Sequence, residues 1–372
     1  MITLLEANTP QLMNAFVKFP FELYKNNPYW VPPLIQDELD TFDRSKNPVF
    51  ANAEAYYYLA QKEGEIVGRI AAIINWEEVN NQGKRKVRFG WWDVVDDIAV
   101  TEALLEKVYE LGRLNTMDHV EGPMGFSNLD KVGVVTEGFD RIASMITWYN
   151  YPYYKEHLEQ LGYRKEKEYL ESVFSFSNID IAPYARAATY IKERYGFYCK
   201  NFTTTDAILP YIDEMFDLFN KSYARLASFV AINEVQKSFI KEKYIGLVKP
   251  EYVKFIFDKN GKMVCFGIVM PSFSEALQKA KGKLFPFGFL HFLKAKKRHN
   301  EVLFYLIGID PDQQNKGVTA IVFEEFHKSF SKHGVQSCIR TPELEENMAI
   351  QNIWKNFRPE VFRRRRTYRK SL

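Results

Sequence analysis

The chain has 372 residues, 46% of them hydrophobic and 26% charged, a globular balance that excludes disorder as the dominant state. At roughly 150 residues per domain, this length leads us to expect two sizeable domains. Lys and Arg total 50 against 47 Asp and Glu, a formal +3 that argues against a strongly basic nucleic-acid binder.

The first twenty residues contain Glu6, Asn8 and Pro10 and no continuous apolar core, so no secretory signal is expected. FPFELYKNNPYWVPPL follows, where Pro28, Pro32 and Pro33 impose an extended path between aromatic anchors. From Ala55 the pattern becomes regular. AYYYLAQ and EIVGRIAAIIN read as strands around a Glu63-Gly64 turn, and VRFGWWDVV as a third strand. VTEALLEKVYELGRLNTM has helical spacing with Thr101 as its expected cap, and a helix and strand over YYKEHLEQLGYRKEKEYLESVFSF close this half. The second half repeats the plan: PEYVKFIFD and KMVCFGIVM around Asn260-Gly261, the strand EVLFYLIGI, a helix from Thr319 to His333, the strand VQSCIRT, and a helix from Glu346 to about Phe357. KEGEIVG and KNGKMVC align, Gly64 with Gly261 and Val67 with Val264. The repeat divides the chain into residues 1–178 and 179–372. Cys199, Cys265 and Cys338 form no C-x-x-C pair, so neither a disulfide framework nor a metal site is expected.

The sharpest local signal is LIGIDPDQQNKGVTAIVFEEF. A strand ends at Ile309, Pro311 stops it, and Gln314, Asn315, Lys316, Gly317, Val318 and Thr319 turn into a helix whose first amides suit a pyrophosphate. The segment resembles the pyrophosphate loop Q/R-x-x-G-x-G/A of the GCN5-related N-acetyltransferase superfamily, with Gln314 and Gly317 in place and Thr319 where Gly or Ala is usual. Downstream, Asn347 and Ile350 resemble that family's N-x-x-A-x-x-x-Y segment. Trp354 takes the place of the tyrosine that serves there as general acid, and indole N–H is a donor without useful acidity. Tyr154…Leu161-Gly162-Tyr163 resembles the family's Y-x-x-x-G-F close, whereas DDIAVTE lacks a glycine where the first half would need its own cofactor loop. The resemblance implies an α/β (α+β) chain of two tandem acetyltransferase-like domains, each a mixed, mostly antiparallel twisted sheet flanked by helices. Acyl-CoA or acetyl-CoA is the implied co-substrate, held in the second domain.

Acyl transfer to an amine requires an anchored pyrophosphate, pantetheine along a strand edge, a deprotonated amine and a stabilised oxyanion. Residues 314–319 would anchor the pyrophosphate. The resemblance implies that Leu306, Ile307, Gly308 and Ile309 pair with pantetheine, with Asn347 and Trp354 also on the cofactor side. For catalysis the candidates are Tyr305, Asn347 and Glu346, with Glu343 and Glu345 beside it; His119 and Glu121, on one face of a strand, offer a pair from the first half.

Charge is unevenly spread. Residues 275–300 and 358–372 each hold seven Lys/Arg and one acid, leaving a net −9 on the remainder. The first run lies in SEALQKAKGKLFPFGFLHFLKAKKRH, whose aromatics framed by lysines suit an anionic membrane surface. Its apolar stretch, Leu284 to Leu293, is about half of the ~20 residues that a spanning helix needs. NPYWVPPL, VGRIAAIIN, EGPMGFSN and EGFDRIASMITWYNYPYY resemble a bacterial family of GCN5-like proteins that includes ceramide synthases, which acylate a sphingoid amine from a long-chain acyl-CoA. The expectation is therefore an acyl-CoA-dependent N-acyltransferase acting on a small-molecule or lipid amine, cytoplasmic or peripheral at the inner membrane face, without nucleic acid. Two rival readings are aminoacyl transfer from tRNA to a cell-wall precursor and a non-catalytic membrane-binding module. For the terminal run, a solvated edge strand, a membrane contact, the adenosine 3′-phosphate of CoA and RNA all stand open.

Overall fold

A computed structural model describes residues 1–127, 129–226 and 229–372, apart from the side chains at 243, 244 and 247. Asn128, the last residue of the EGPMGFSN motif, lies outside the described residues. The first half comprises β1 (Ile2–Glu6), α1 (Pro10–Leu23), α2 (Ile35–Phe42), β2 (Ala53–Lys62), β3 (Glu65–Asn75), α3 (Trp76–Gln82), β4 (Lys86–Val94), α4 (Ile98–Leu114), β5 (His119–Gly122), β6 (Val134–Glu137), α5 (Tyr153–Gln160) and β7 (Arg164–Ser175). The second comprises α6 (Ala182–Tyr195), β8 (Tyr198–Asn201), α7 (Ile212–Tyr223), α8 (Glu234–Tyr244), β9 (Val253–Phe257), β10 (Met263–Pro271), α9 (Ser274–Ala280), α10 (Gly288–Lys297), β11 (Glu301–Ile309), α11 (Thr319–His333), β12 (Ser337–Leu344), α12 (Met348–Trp354) and β13 (Glu360–Ser371).

The strands form one open mixed sheet in the order β1-β2-β3-β4-β5-β13-β7-β12-β11-β10-β9-β8, with β6 on β13. Among the described residues only β4–β5 and β11–β12 are parallel. The repeat seen in the sequence is therefore real: β2-β3-β4-β5 and β9-β10-β11-β12 have the same order and directions. Hydrophobic patterning explains the elements. On β2 alternate residues are buried, while β4, covered on both faces, is buried throughout. On α11, Ile321, Val322, Phe326 and Phe330 recur at helical spacing and pack on the sheet, and Gly334 closes the helix at φ 68°.

Three expectations are corrected or sharpened. First, α4 begins earlier than its apolar pattern suggests. Asp97 caps it by accepting from the Ala99 N–H, while Thr101 is buried one turn in with its Oγ1 2.9 Å from His157 Nδ1. Second, the N-terminal aromatic segment begins inside α1, which carries Pro20 and runs to Leu23, and the chain then turns through Pro28 to stack Trp30 on Tyr24 at 5.4 Å.

The largest correction concerns the terminal basic run, which is not a solvated edge strand. β13 lies inside the sheet, antiparallel to β7, β5 and β6, and strand alternation sends its arginines to opposite faces. Arg363 and Arg365 are buried on Glu171 of β7. Arg364 meets Glu345 at 2.9 Å, and Arg366 meets Glu168 at 2.9 Å. The two halves have in effect traded final strands: β7 ends the first half yet pairs with β12, while β13 ends the second yet pairs with β5.

Candidate functional site

The parallel pair β11–β12 runs only from Glu301↔Ser337 to Phe304↔Arg340, after which the strands part. On its other side β11 stays paired to β10, with a bulge where Ile268 opposes Leu306 and Val269 opposes Phe304, leaving Tyr305 as the extra residue. A cavity of about 420 Å³ occupies the parting. The second half lines it with Tyr223, Phe304, Tyr305, Leu306, Ile307, Ile309, Gln314, Glu343, Asn347, Ile350 and Ile353. The first half contributes Arg88, Met124, Ser127, Leu129, Asp130, Val132, Ile146 and Tyr169. A largely apolar cavity with a few convergent polar groups is the usual form of a small-molecule site.

β11 leads from this cavity into the 311–316 turn and then Gly317, where φ is 72° and an added Cβ would meet Ile191 Cδ1 at 2.9 Å. The left-handed dihedral favours glycine there, and a larger residue would also have to displace the tip of Ile191. The N–H groups of Ala320 and Ile321 bond back to Gly317 and Val318 carbonyls, so an arriving anion would meet the amides just ahead of them. Gln314, Asn315 and Gly317 are exposed, Lys316 and Thr319 half-buried, and Val318 buried. Lys316 Nζ rests 5.2 Å from the Tyr195 ring centroid.

The sequence candidates separate into three groups. Tyr305, Leu306, Ile307, Ile309, Gln314 and Asn347 line the cavity, although Asn347 Oδ1 is engaged by the Ile350 N–H as the α12 cap. Tyr223 Oη donates to the Ile307 carbonyl at 3.0 Å, so one acceptor on the presumed pantetheine edge already has a partner. Gly308, Asn315, Lys316, Gly317, Val318 and Thr319 stand outside the cavity lining, Gly308 being packed beside Phe266 and the others continuing the turn. Four candidates are elsewhere. Trp354 is buried among Phe304, Phe323 and Phe357 and donates to Glu343 Oε1 at 2.9 Å. Glu346 is exposed, 2.5 Å from Lys167 Nζ, and His119 and Glu121 lie at the far end of β5, where Glu121 is 2.8 Å from Lys86.

Two carboxyls do face the cavity. Glu343 is raised by burial despite its bonds from Arg340 and Trp354. Asp130 went unremarked in the sequence, although it directly follows the EGPMGFSN motif and Leu129. Burial raises its carboxyl above the ordinary 3.8, partly offset by bonds from the Ser127 N–H at 2.8 Å and Oγ at 3.1 Å. Burial first, then the Asp130 charge, pushes the Tyr305 hydroxyl up to about 12. Asp130 therefore carries no direct cation partner among the described residues, whereas Glu343 is held by Arg340.

Behind the turn sits Asp310. Burial alone would raise it, but bonds from Lys221 at 2.7 Å, the Asp312 N–H and Lys262 at 3.1 Å hold it at about 2. This stabilisation is complete above the ordinary 3.8 and is lost as pH falls toward about 2. Folding stability measured by denaturant titration should accordingly decline over that acid window, and Asp310→Asn should flatten part of the decline.

The matching gap in the first half is closed. β4 and β5 pair only from Lys86↔His119 to Arg88↔Glu121, but beyond Arg88 a side chain at Gly90 would collide with the Met124 carbonyl, and Trp148 lies 3.3 Å away. The start of α4 carries the Asp97 carboxylate, paired with Lys62 at 2.9 Å, where a phosphate would have to sit.

No protein-family model matches the chain. It is similar to the protein YghO of Escherichia coli (strain K12), 24% identical over 367 residues, covering 97% of this chain and 93% of that protein. It is also similar to the bacterial ceramide synthase of Caulobacter vibrioides (strain NA1000 / CB15N), 24% identical over 302 residues, with 78% of this chain and 76% of that one covered. Among solved structures, a tandem GNAT protein from the clavulanic acid biosynthesis pathway superposes with a TM-score of 0.60 at 11% identity, covering 100% of this chain and 98% of that one. A GCN5-related N-acetyltransferase from Sphaerobacter thermophilus does so with a TM-score of 0.53 at 10% identity, covering 100% and 95%. With the duplicated sheet, the parted parallel pair and the turn ahead of α11, these likenesses show that the chain has the tandem GCN5-related N-acetyltransferase fold.

Proposed function

We propose that this chain is an N-acyltransferase that moves an acyl group from an acyl-CoA thioester to an amine, and that the acceptor is a long-chain lipid amine. The carrying observation is the cavity of about 420 Å³ at the parting of β11 and β12, continuous along β11 with the Gly317 turn. The fold and the ceramide synthase likeness support N-acyl transfer, and the apolar lining by Met124, Leu129, Val132, Ile146, Ile350 and Ile353 suits a long chain. The residues present fit acyl-CoA: a left-handed Gly317 leading into a helix start, and a strand edge freed from its neighbour. Bound there, acyl-CoA supplies an activated carbonyl.

The chain's own groups do the rest. Asp130 Oδ accepts a proton from the ammonium form of the acceptor, freeing the nitrogen lone pair for attack. The Tyr305 hydroxyl, kept protonated by burial, holds a hydrogen ready to donate as negative charge develops. The surrounding apolar side chains exclude water that would otherwise hydrolyse the thioester. The tRNA reading loses its motivating feature, because the terminal arginines are taken up inside the sheet. In titration calorimetry with acetyl-, octanoyl- and palmitoyl-CoA, at least one should bind. Gly317→Asp, which sets a carboxylate against the pyrophosphate and strains the left-handed turn, should weaken that binding at least tenfold in a folded protein. Undiminished affinity would move the cofactor site elsewhere.

A further inference from the structure

The segment between β10 and β11 is a fixed protrusion with an apolar tip. Its base is tied down: Gln278 Nε2 donates to the Pro28 and Trp30 carbonyls at 2.8 and 2.9 Å, and the Ile35 N–H donates to Gly282 O at 2.9 Å. Phe292 turns inward, 5.6 Å from the Phe273 ring, and leaves the opposite face of the outer part uncovered. Helix α10 buries none of its residues, and Phe285, Phe287, Phe289, Leu290 and Leu293 are 77, 70, 37, 51 and 57% exposed. Side chains of this size left in water on an anchored element mark an interaction surface.

The surrounding charge identifies the occupant. Lys281, Lys283, Lys294, Lys297 and Arg298 are exposed around the tip, and among the described residues none of them enters an ion pair. The other basic run is consumed in the sheet, and the remaining chain is net acidic, so this protrusion is where the molecule meets an anionic surface with least repulsion. A ten-residue helix is too short to span a bilayer but long enough to lie in its interface.

We infer that residues 281–298 dock the protein on an anionic phospholipid bilayer, with the phenylalanines inserted among acyl chains and the lysines at the headgroups. Docking would place the start of β11 near the bilayer, with Tyr305 only about 13 Å further along the strand. The inference is independent of acyl transfer, since it is read out without acyl-CoA.

Flotation of the full chain with vesicles of phosphatidylcholine alone, or mixed with phosphatidylglycerol, tests it. Binding should require phosphatidylglycerol and should fall in about 1 M salt, where the Debye length drops to about 3 Å. Lys281→Glu/Lys283→Glu should reduce binding by about 25-fold or more, at about fivefold per lysine lost. Phe285→Ser/Phe287→Ser should abolish it with circular dichroism unchanged. Absence of binding to either vesicle, or binding indifferent to both variants, overturns the inference. So does a dimer by light scattering that the phenylalanine variant converts to monomer, which would make a second copy the occupant.

Discussion

Replacing Glu171 by glutamine should lower the unfolding free energy by roughly 3–5 kcal/mol, the usual cost of stranding a buried charge by deleting its partner. Two guanidinium groups depend on this one carboxylate. Arg363 Nη1 lies 3.5 Å from it, Arg365 Nε is in contact with it, and all three side chains are at most 1% exposed. Backbone carbonyls of Gly133, Val132, Trp148, Gly138 and Arg141 accept the remaining N–H groups, so in the variant the hydrogen bonds largely survive while the charge balance does not. Against a total stability that is commonly about 5–15 kcal/mol, the loss should be plain in a urea midpoint. Glu346→Gln provides the contrast. Its exposed pair with Lys167 should contribute little, so equal behaviour of the two variants would refute the buried-charge account.

Asp130→Asn is expected to reduce kcat by about 10²–10⁴-fold, the usual contribution of a positioned base, while leaving acyl-CoA binding intact. Asparagine keeps an oxygen for the Ser127 N–H and hydroxyl, so the loop should hold its shape. The pH profile is the more discriminating readout. Burial raises Asp130, so the base becomes protonated, and kcat/KM should fall, at a pH above that at which an exposed aspartate titrates. That acid limb should disappear from the residual activity of the variant. If Asp130→Asn keeps full activity while Glu343→Gln, still folded, abolishes it, proton removal belongs to Glu343.

The strand–turn–helix around Gly317 was legible because it is local. Strand, Pro311, Gly317 and helix lie within a few turns of chain, and the chemistry of each residue dictates its conformation. The duplicated hairpins were legible for the same reason, through Glu63-Gly64 and Asn260-Gly261. The wall that the first half contributes to the cavity was not. Asp130 sits in an irregular loop with no period to mark it, and it becomes a candidate only when folding sets it against Tyr305, far away in sequence. Trp354 is a different case. Its spacing from Asn347 set it on the cofactor side by resemblance, and the short α12 turns it into the aromatic core. The alternating arginines of β13 were read as strand, yet their partners on β7 are nearly two hundred residues away, and no local pattern announces a pairing of that kind.

The traded strands also set an order of assembly. β13 completes the sheet next to β5, yet it follows every other described strand in the sequence. Until residues 360–371 have been made, β5 and β7 each keep a bare edge, and Glu171 lacks its two cations. Folding of the two halves is thereby tied to β13, and a product truncated before it would expose strand edges open to aggregation and degradation.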